Sequence, residues 1–166
     1  MKIVVISDSH DREEVLKKLV DEINQNIKPS CVIHCGDLVA PFMLNILAKL
    51  NCKCHIIWGN VVGDIKRAME IVEKHESIII HGIWGEIEEN GKKIAFVHEK
   101  ELAIVFALSK KYDVVFYGHT HKANIEEIEG VLLVNPGELL GRKQKPSYAI
   151  YDVKENKVEI KEIKIK

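Results

Sequence analysis

Seven side chains of this chain suit hard or borderline divalent cations, and each stands just after a strand-like run: Asp8, His10, Asp37, Asn60, His98, His119 and His121. They fall in short clusters: Asp8-Ser9-His10, Gly36-Asp37, Gly59-Asn60, a lone His98, and Gly118-His119-Thr120-His121. Asn135-Pro136-Gly137 ends a further run in the same manner. Carboxylate, amide and imidazole donors are too many here for one tetrahedral zinc ion. They suit two adjacent cations that share a carboxylate. Such a pair acidifies water and clamps the attacking and leaving oxygens of a displacement, so the spacing points to a two-metal hydrolase.

Each cluster alone has a plainer reading. A single Asp after a strand usually caps a helix, and Asp8 or Asp11 is placed to cap the first one. A single buried His is more often a satisfied core group than a ligand. Capping does not explain the ordered recurrence of these clusters after successive strand-like runs. The glycines at 36, 59 and 118 allow tight turns. On strand-like backbone, Asp8 and His10 project to one side, as do His119 and His121.

The elements that must position these groups follow from periodicity. Residues 2–7, 31–35 and 54–58 are apolar runs that read as buried strands, separated by helical spacing over 11–26 and 41–50. A helix over 65–75 follows. Strands are predicted over 77–80, 83–89 and 92–97, with Asn90-Gly91 as a hairpin turn. A helix over 102–110 leads to a strand over 113–117. Two hairpins close the chain, 123–128 with 131–134 about Glu129-Gly130, and 147–152 with 157–165 about Glu155-Asn156. The first half is therefore βαβαβ and the second largely antiparallel β with one helix. This predicts one α/β domain over 1–166, a four-layer αββα sandwich of two mixed β-sheets flanked by helices.

Composition bounds the function. The chain has 166 residues, enough for one domain with a real core, and a net charge of -1 that offers no basic field for nucleic acid. An anionic substrate must be held by a local site. No cleavable signal and no long apolar run is visible, so a cytoplasmic protein without a membrane span is expected. Cys31, Cys35, Cys52 and Cys54 lie in or beside apolar runs and read as small buried hydrophobes rather than a zinc or disulfide framework. The stretch Arg142-Lys143-Gln144-Lys145 reads as a solvated loop. His34 reads either as a group that orients a ligand or as a structural strand His. His55, His75 and His81 match no motif and read as structural or exposed.

The ordered clusters Asp8-Ser9-His10, Gly36-Asp37, Gly59-Asn60, His98 and Gly118-His119-Thr120-His121 resemble the calcineurin-like metallophosphoesterase family, in particular its small single-domain prokaryotic phosphodiesterases. The resemblance spans residues 8 to 121. It implies that Asp8, His10 and His121 hold one metal, that Asn60, His98 and His119 hold the other, and that Asp37 bridges them. It also implies that a hydroxide between the two metals attacks the phosphorus of a small phosphate ester. Mn2+ is the first expectation for the metal, with Ni2+, Fe2+ or Zn2+ as alternatives, and a homodimer is the default assembly.

The chain departs from the family pattern at three places. Many members follow the G-N pair with a His that assists the leaving group; here Val61, Val62, Gly63 and Asp64 follow Asn60. Diesters and activated aryl esters are then the favoured substrates, with His10 the candidate to stand in for the missing group. Glu99 replaces a customary Gly after His98, and is read as solvent-facing or as a modifier of metal affinity. Glu138 replaces a customary Ser after Asn135-Pro136-Gly137 and is expected to reshape the pocket wall. A phosphomonoesterase is the nearest alternative. The rival from another class is a non-catalytic interaction scaffold resembling the small retromer subunit, a lineage in which the metal set is eroded. A nuclease of the family would carry a basic track, and none is visible.

Overall fold

The computed structural model describes residues 1–164. Side-chain alternation along the strands sets the layers. In β1 (Lys2–Ile6), Ile3 and Val5 enter one apolar cluster while Val4 and Ile6 enter another. β2 (Cys31–His34) repeats this with Ile33 on the first side and Val32 on the second. The second cluster lies under the helices of the first half. It takes Leu16 and Leu19 from α1 (Glu13–Glu22), Leu44 and Leu47 from α2 (Leu44–Leu47), and Ala68 from α3 (Ile65–Val72). The first cluster lies between two sheets, where Ile3, Val5 and Ile33 meet Phe96, Phe116 and Val134.

One sheet has six strands in the order β11-β10-β1-β2-β3-β4. β3 (Lys53–Ile56) and β4 (Ile78–Ile80) continue the parallel set of β1 and β2. The hairpin of β10 (Ser147–Asp152) and β11 (Lys157–Glu162) adds antiparallel strands beside β1. The other sheet has five strands in the order β5-β6-β7-β9-β8. It is built from β5 (Trp84–Glu89), β6 (Lys92–Val97), β7 (Val114–Phe116), β8 (Asn124–Ile128) and β9 (Val131–Asn135). Its outer face packs Ala95, Val115 and Leu133 on Ala103 and Ala107 of α4 (Lys100–Leu108). Helices, sheet, sheet and helix give the four-layer α/β sandwich that the sequence predicts.

The details differ from expectation in physically readable ways. The second sheet has a parallel centre, β6-β7-β9, with antiparallel strands only at its edges. Its parallel centre arises because α4 crosses over between β6 and β7, and because the β8–β9 hairpin docks through β9. The first helix begins at Glu13 and ends in a π-helical turn, Ile23–Ile27, closed by Lys28 in the left-handed region. Asp11 does not cap that helix: its Oδ1 accepts from Ala40 N–H at 2.7 Å and ties two loops together. The predicted helix over 41–50 is a 3-10 turn, Pro41–Met43, leading into the short α2. The last strand stops at Glu162 and does not continue through Ile163 and Lys164 as predicted; residue 165 lies outside the described residues. Cys31, Cys35 and Cys54 are buried, as small apolar residues would be. No helix among the described residues is long and apolar enough to cross a membrane.

The parallel strands of both sheets end at one edge of the sandwich, and their loops meet there without clearance. A Cβ added at Gly59 would stand 1.9 Å from Asp37 Oδ1, and one at Gly118 would stand 2.0 Å from Ser7 Oγ and 2.8 Å from Asp8 Oδ2. These two glycines therefore supply space, while Gly36, at φ +99°, supplies the turn. His34 fastens two of the loops. Gly36 N–H donates to its Nδ1 at 3.2 Å, so its Nε2–H donates to Ser9 Oγ at 3.0 Å. The reading of His34 as a structural strand group fits these contacts, since it touches the side chain of no candidate ligand.

Two stability outcomes are expected. Gly118→Ala overpacks the loop junction and should cost about 1–3 kcal/mol, which a thermal melt reads as a fall of several degrees. Burial lowers the His34 pKa to about 3, whereas the unfolded residue titrates near 6.5. Between those values the unfolded chain binds a proton that the fold refuses, so this stabilisation is lost as pH falls through that window. Urea unfolding of metal-stripped protein should show a shallower pH slope for His34→Gln than for the parent, by up to about 1.4 kcal/mol per pH unit.

Candidate metal centre

Loops from both sheets bring the seven candidate residues together at the crowded edge. Asp8 and His10 follow β1, Asp37 follows β2 and Asn60 follows β3. His98 follows β6, and His119 and His121 follow β7. Strand-like projection does not aim these groups, contrary to the expectation. Asp8, His10, Asp37, His119 and His121 all have positive φ, between 36° and 63°. Such backbone is costly for residues with a Cβ, less so for Asp and His than for branched side chains, and it persists only where the surroundings enforce it. Here backbone bonds do so: Asp8 N–H donates to Gly36 O at 3.0 Å and His10 N–H to Asp37 O at 3.1 Å. His119 N–H donates to Asp8 Oδ2 at 3.1 Å, joining the two sheets.

Two clusters result. In the first, His121 Nε2 lies 3.3 Å and His10 Nε2 lies 3.9 Å from Asp8 Oδ1. In the second, Asn60 Oδ1 lies 2.9 Å from His98 Nε2 and 2.9 Å from His119 Nδ1. Asp37 sits between them, with Oδ2 3.3 Å from His10 Nε2 and Oδ1 3.4 Å from His98 Nε2. Val61 N–H also donates to that Oδ1 at 2.8 Å. Two donors bound to one cation at about 2.1 Å lie about 3–3.5 Å apart, the range most of these pairs occupy.

The hydrogen-bond inventory fits cations better than it fits protein partners. Asp8 Oδ1 and His10 Nε2 are buried with no hydrogen-bond partner, as is Ser7 Oγ. An unsatisfied buried polar group costs about 1–3 kcal/mol, and one cation would satisfy both of the first two atoms. The imidazoles are also aimed. His98 Nδ1–H donates to Cys35 O at 2.7 Å, which leaves its Nε2 lone pair facing Asp37 and Asn60. His121 Nδ1 lies 2.5 Å from Glu138 Oε2, which turns its Nε2 to Asp8. Fixing the far nitrogen of a histidine in this way selects the tautomer that a metal needs.

Electrostatics of the protein alone separate the carboxylates. Burial raises the Asp8 pKa and outweighs the help of Ser7 and the histidines. Burial acts the same way on Asp37, but the adjacent His98 imidazole and the Val61 N–H hold it below the usual carboxylate range. Burial of His98 favours its neutral form, and Asp37 and Cys35 O more than reverse this.

Two residues hold places that the spacing did not assign, and a third, Asp64, caps the following helix as its position allows. Glu99 is exposed, yet its Oε2 lies 3.3 Å from His119 Nε2, at the edge of the second cluster. Its position directly after a candidate ligand was the available signal. Glu138 is fully buried against His121, and only its substitution for Ser drew notice in the sequence. Asp64 is withdrawn from the centre: its Oδ1 accepts from Arg67 N–H at 2.9 Å and caps α3. Of the three unassigned histidines, His55 and His81 pair with each other at 2.9 Å, with His81 against Phe96, and His75 is half-buried.

Known proteins resemble this chain in sequence and in fold. A model of the calcineurin-like phosphoesterase superfamily domain matches residues 1–156. A phosphodiesterase of Methanocaldococcus jannaschii is 35% identical over 144 residues, covering 85% of this chain and 86% of that protein. A solved archaeal phosphodiesterase superposes with a TM-score of 0.89 at 30% identity, covering 98% of this chain and all of that one. Vps29 of Entamoeba histolytica, solved with Zn2+, shares the fold with a TM-score of 0.69 at 18% identity, over 98% of each chain. The chain belongs to the calcineurin-like phosphoesterase superfamily.

Proposed function

We propose that this chain is a phosphodiesterase with two divalent cations at its centre, the first held by Asp8, His10 and His121 and the second by Asn60, His98 and His119. Asp37 is shared between them. The observation that carries this reading is Asp37 with one oxygen toward each cluster, beside two buried donor atoms that no protein group satisfies. When bound, the cations supply a water acidic enough to attack phosphorus near neutral pH and positive charge for the nonbridging oxygens. Mn2+ is the first candidate, with Ni2+, Fe2+ and Zn2+ as alternatives.

The chain's own groups set the rest. His98 and His121 keep their Nδ1 protons on Cys35 O and Glu138, so neither ring has to reorganise when a cation enters. His10 turns its Nε2 to Asp37, which supports a binding role for it over proton delivery. After Asn60 no side chain offers a proton to the leaving oxygen: Val61 and Val62 are apolar and Asp64 is spent on α3. Water must protonate that oxygen, which favours substrates whose leaving group is already a weak base. Val61 and Val62, each 40% exposed, follow Asn60 directly and offer apolar surface on this side that suits an organic ester. The name phosphodiesterase, carried by the archaeal relative and by the archaeal solved structure, supports the diester over the monoester.

The test is hydrolysis of bis(p-nitrophenyl) phosphate and p-nitrophenyl phosphate by metal-stripped protein, with each metal restored in turn. Diester cleavage should require metal, exceed monoester cleavage, and fall more than about 100-fold in Asp37→Ala and in His98→Ala, beyond the loss that outer partners of a metal ligand cause. Preference for the monoester would make the chain a phosphatase. Inertness of folded protein with every metal would favour the scaffold. Val61→His should raise turnover of diesters with alkyl leaving groups about 10-fold or more, toward the 10²–10⁴ of a placed general acid, and change p-nitrophenyl diesters little.

A further inference from the structure

Besides Asp8 and Asp37, Glu138 is the one carboxylate fully buried among the described residues, and it follows β9 at the rim of the centre. Both of its oxygens are used. Oε2 accepts from His121 Nδ1–H, while Oε1 accepts from the backbone N–H of Lys143 and, at 3.0 Å, of Gln144. Burial raises its pKa, but these three donors outweigh burial and hold it below the usual carboxylate range. The loop it gathers is tied to the centre at other points as well. Leu139 N–H donates to Ser7 O at 3.1 Å and Leu140 N–H to Asp8 O at 3.0 Å. Lys143 Nζ reaches Thr120 O, between His119 and His121, at 3.3 Å. Arg142, Lys143 and Lys145 are exposed, as the reading as a solvated loop expects, while Gln144 is half-buried and the backbone is anchored.

We infer that Glu138 is a positioning residue that couples the first cation position to the order of the 139–146 loop. One oxygen fixes the ring of His121 with its Nε2 presented to Asp8, and the other holds the loop's backbone. This inference rests on the metal reading given above for its His121 half alone; the loop half stands without any metal. Glutamine separates the two roles. Its carbonyl oxygen still accepts from His121 Nδ1–H, but its NH2 then faces two N–H donors and cannot hold the loop. Alanine removes both.

The experiment uses the full chain, stripped of metal, as parent, Glu138→Gln and Glu138→Ala. Calorimetric titration with Mn2+ should show two sites per chain in the parent. Glu138→Ala should weaken one site by about 10–100-fold and leave the other within about twofold. Glu138→Gln should restore most of that loss. Hydrogen exchange of the metal-free proteins should show the Lys143 and Gln144 amides opening at least about 10-fold faster in both variants. A residue that merely supported the fold would weaken both sites together, with no rescue by glutamine, and that result overturns the proposal. So does parent-like binding and exchange in both variants. A parent that binds no Mn2+ overturns the metal reading, and the exchange measurement then still decides the loop half.

Discussion

Burying the Asp8 and Asp37 carboxylates where two sheets meet is the constraint around which the rest of this structure is arranged. A carboxylate out of water needs hydrogen-bond donors and positive charge. The loops answer with N–H groups: His119 N–H reaches Asp8 across the sheets, and Val61 N–H reaches Asp37. They answer also with three imidazoles, His10, His98 and His121, each within about a contact distance of one of these carboxylates. The protein stops short of complete satisfaction, and the shortfall is concentrated on the atoms that face one another.

That constraint explains the odd local chemistry of the loops. Side chains that would diverge from extended backbone are folded inward by left-handed turns at Asp8, His10, Asp37, His119 and His121. Even Val39, a branched residue, adopts φ 74° beside them. The close approach of Gly59 and Gly118 to acidic and hydroxyl groups removes room for any larger residue. Strain and crowding of this kind are what a rigid, preorganised binding geometry requires, and the apolar layers beneath carry their cost.

Much of this was legible in the sequence because the strands announce themselves as short apolar runs and the ligating residues stand at their ends. The four layers follow from alternation, as Ile3 and Val5 against Val4 and Ile6 show. What the spacing could not carry was three-dimensional. The parallel centre of the second sheet depends on which strand of the β8–β9 hairpin docks, and both are short enough to do so. Left-handed backbone at Asp and His leaves little mark in residue type, unlike at Gly. Asp11 looks like a helix cap but is taken by Ala40 N–H, a partner 29 residues away. Glu138 has no periodic neighbour to mark it, and its meaning comes only from His121 and the loop that closes over it.

The position of β1 in its sheet has a consequence for how the molecule comes into being. β1 leaves the ribosome before the other ten strands of this fold, yet it lies between β2 and β10, so one flank waits for a hairpin made from residues 147–162. Asp8 at its end waits likewise for His119, 111 residues further on. Contacts this distant in sequence form slowly, because much chain entropy is lost before they reward it. A nascent chain therefore carries an open strand edge until residues 147–162 are made, and a half-made acidic pocket until His119 and His121 arrive.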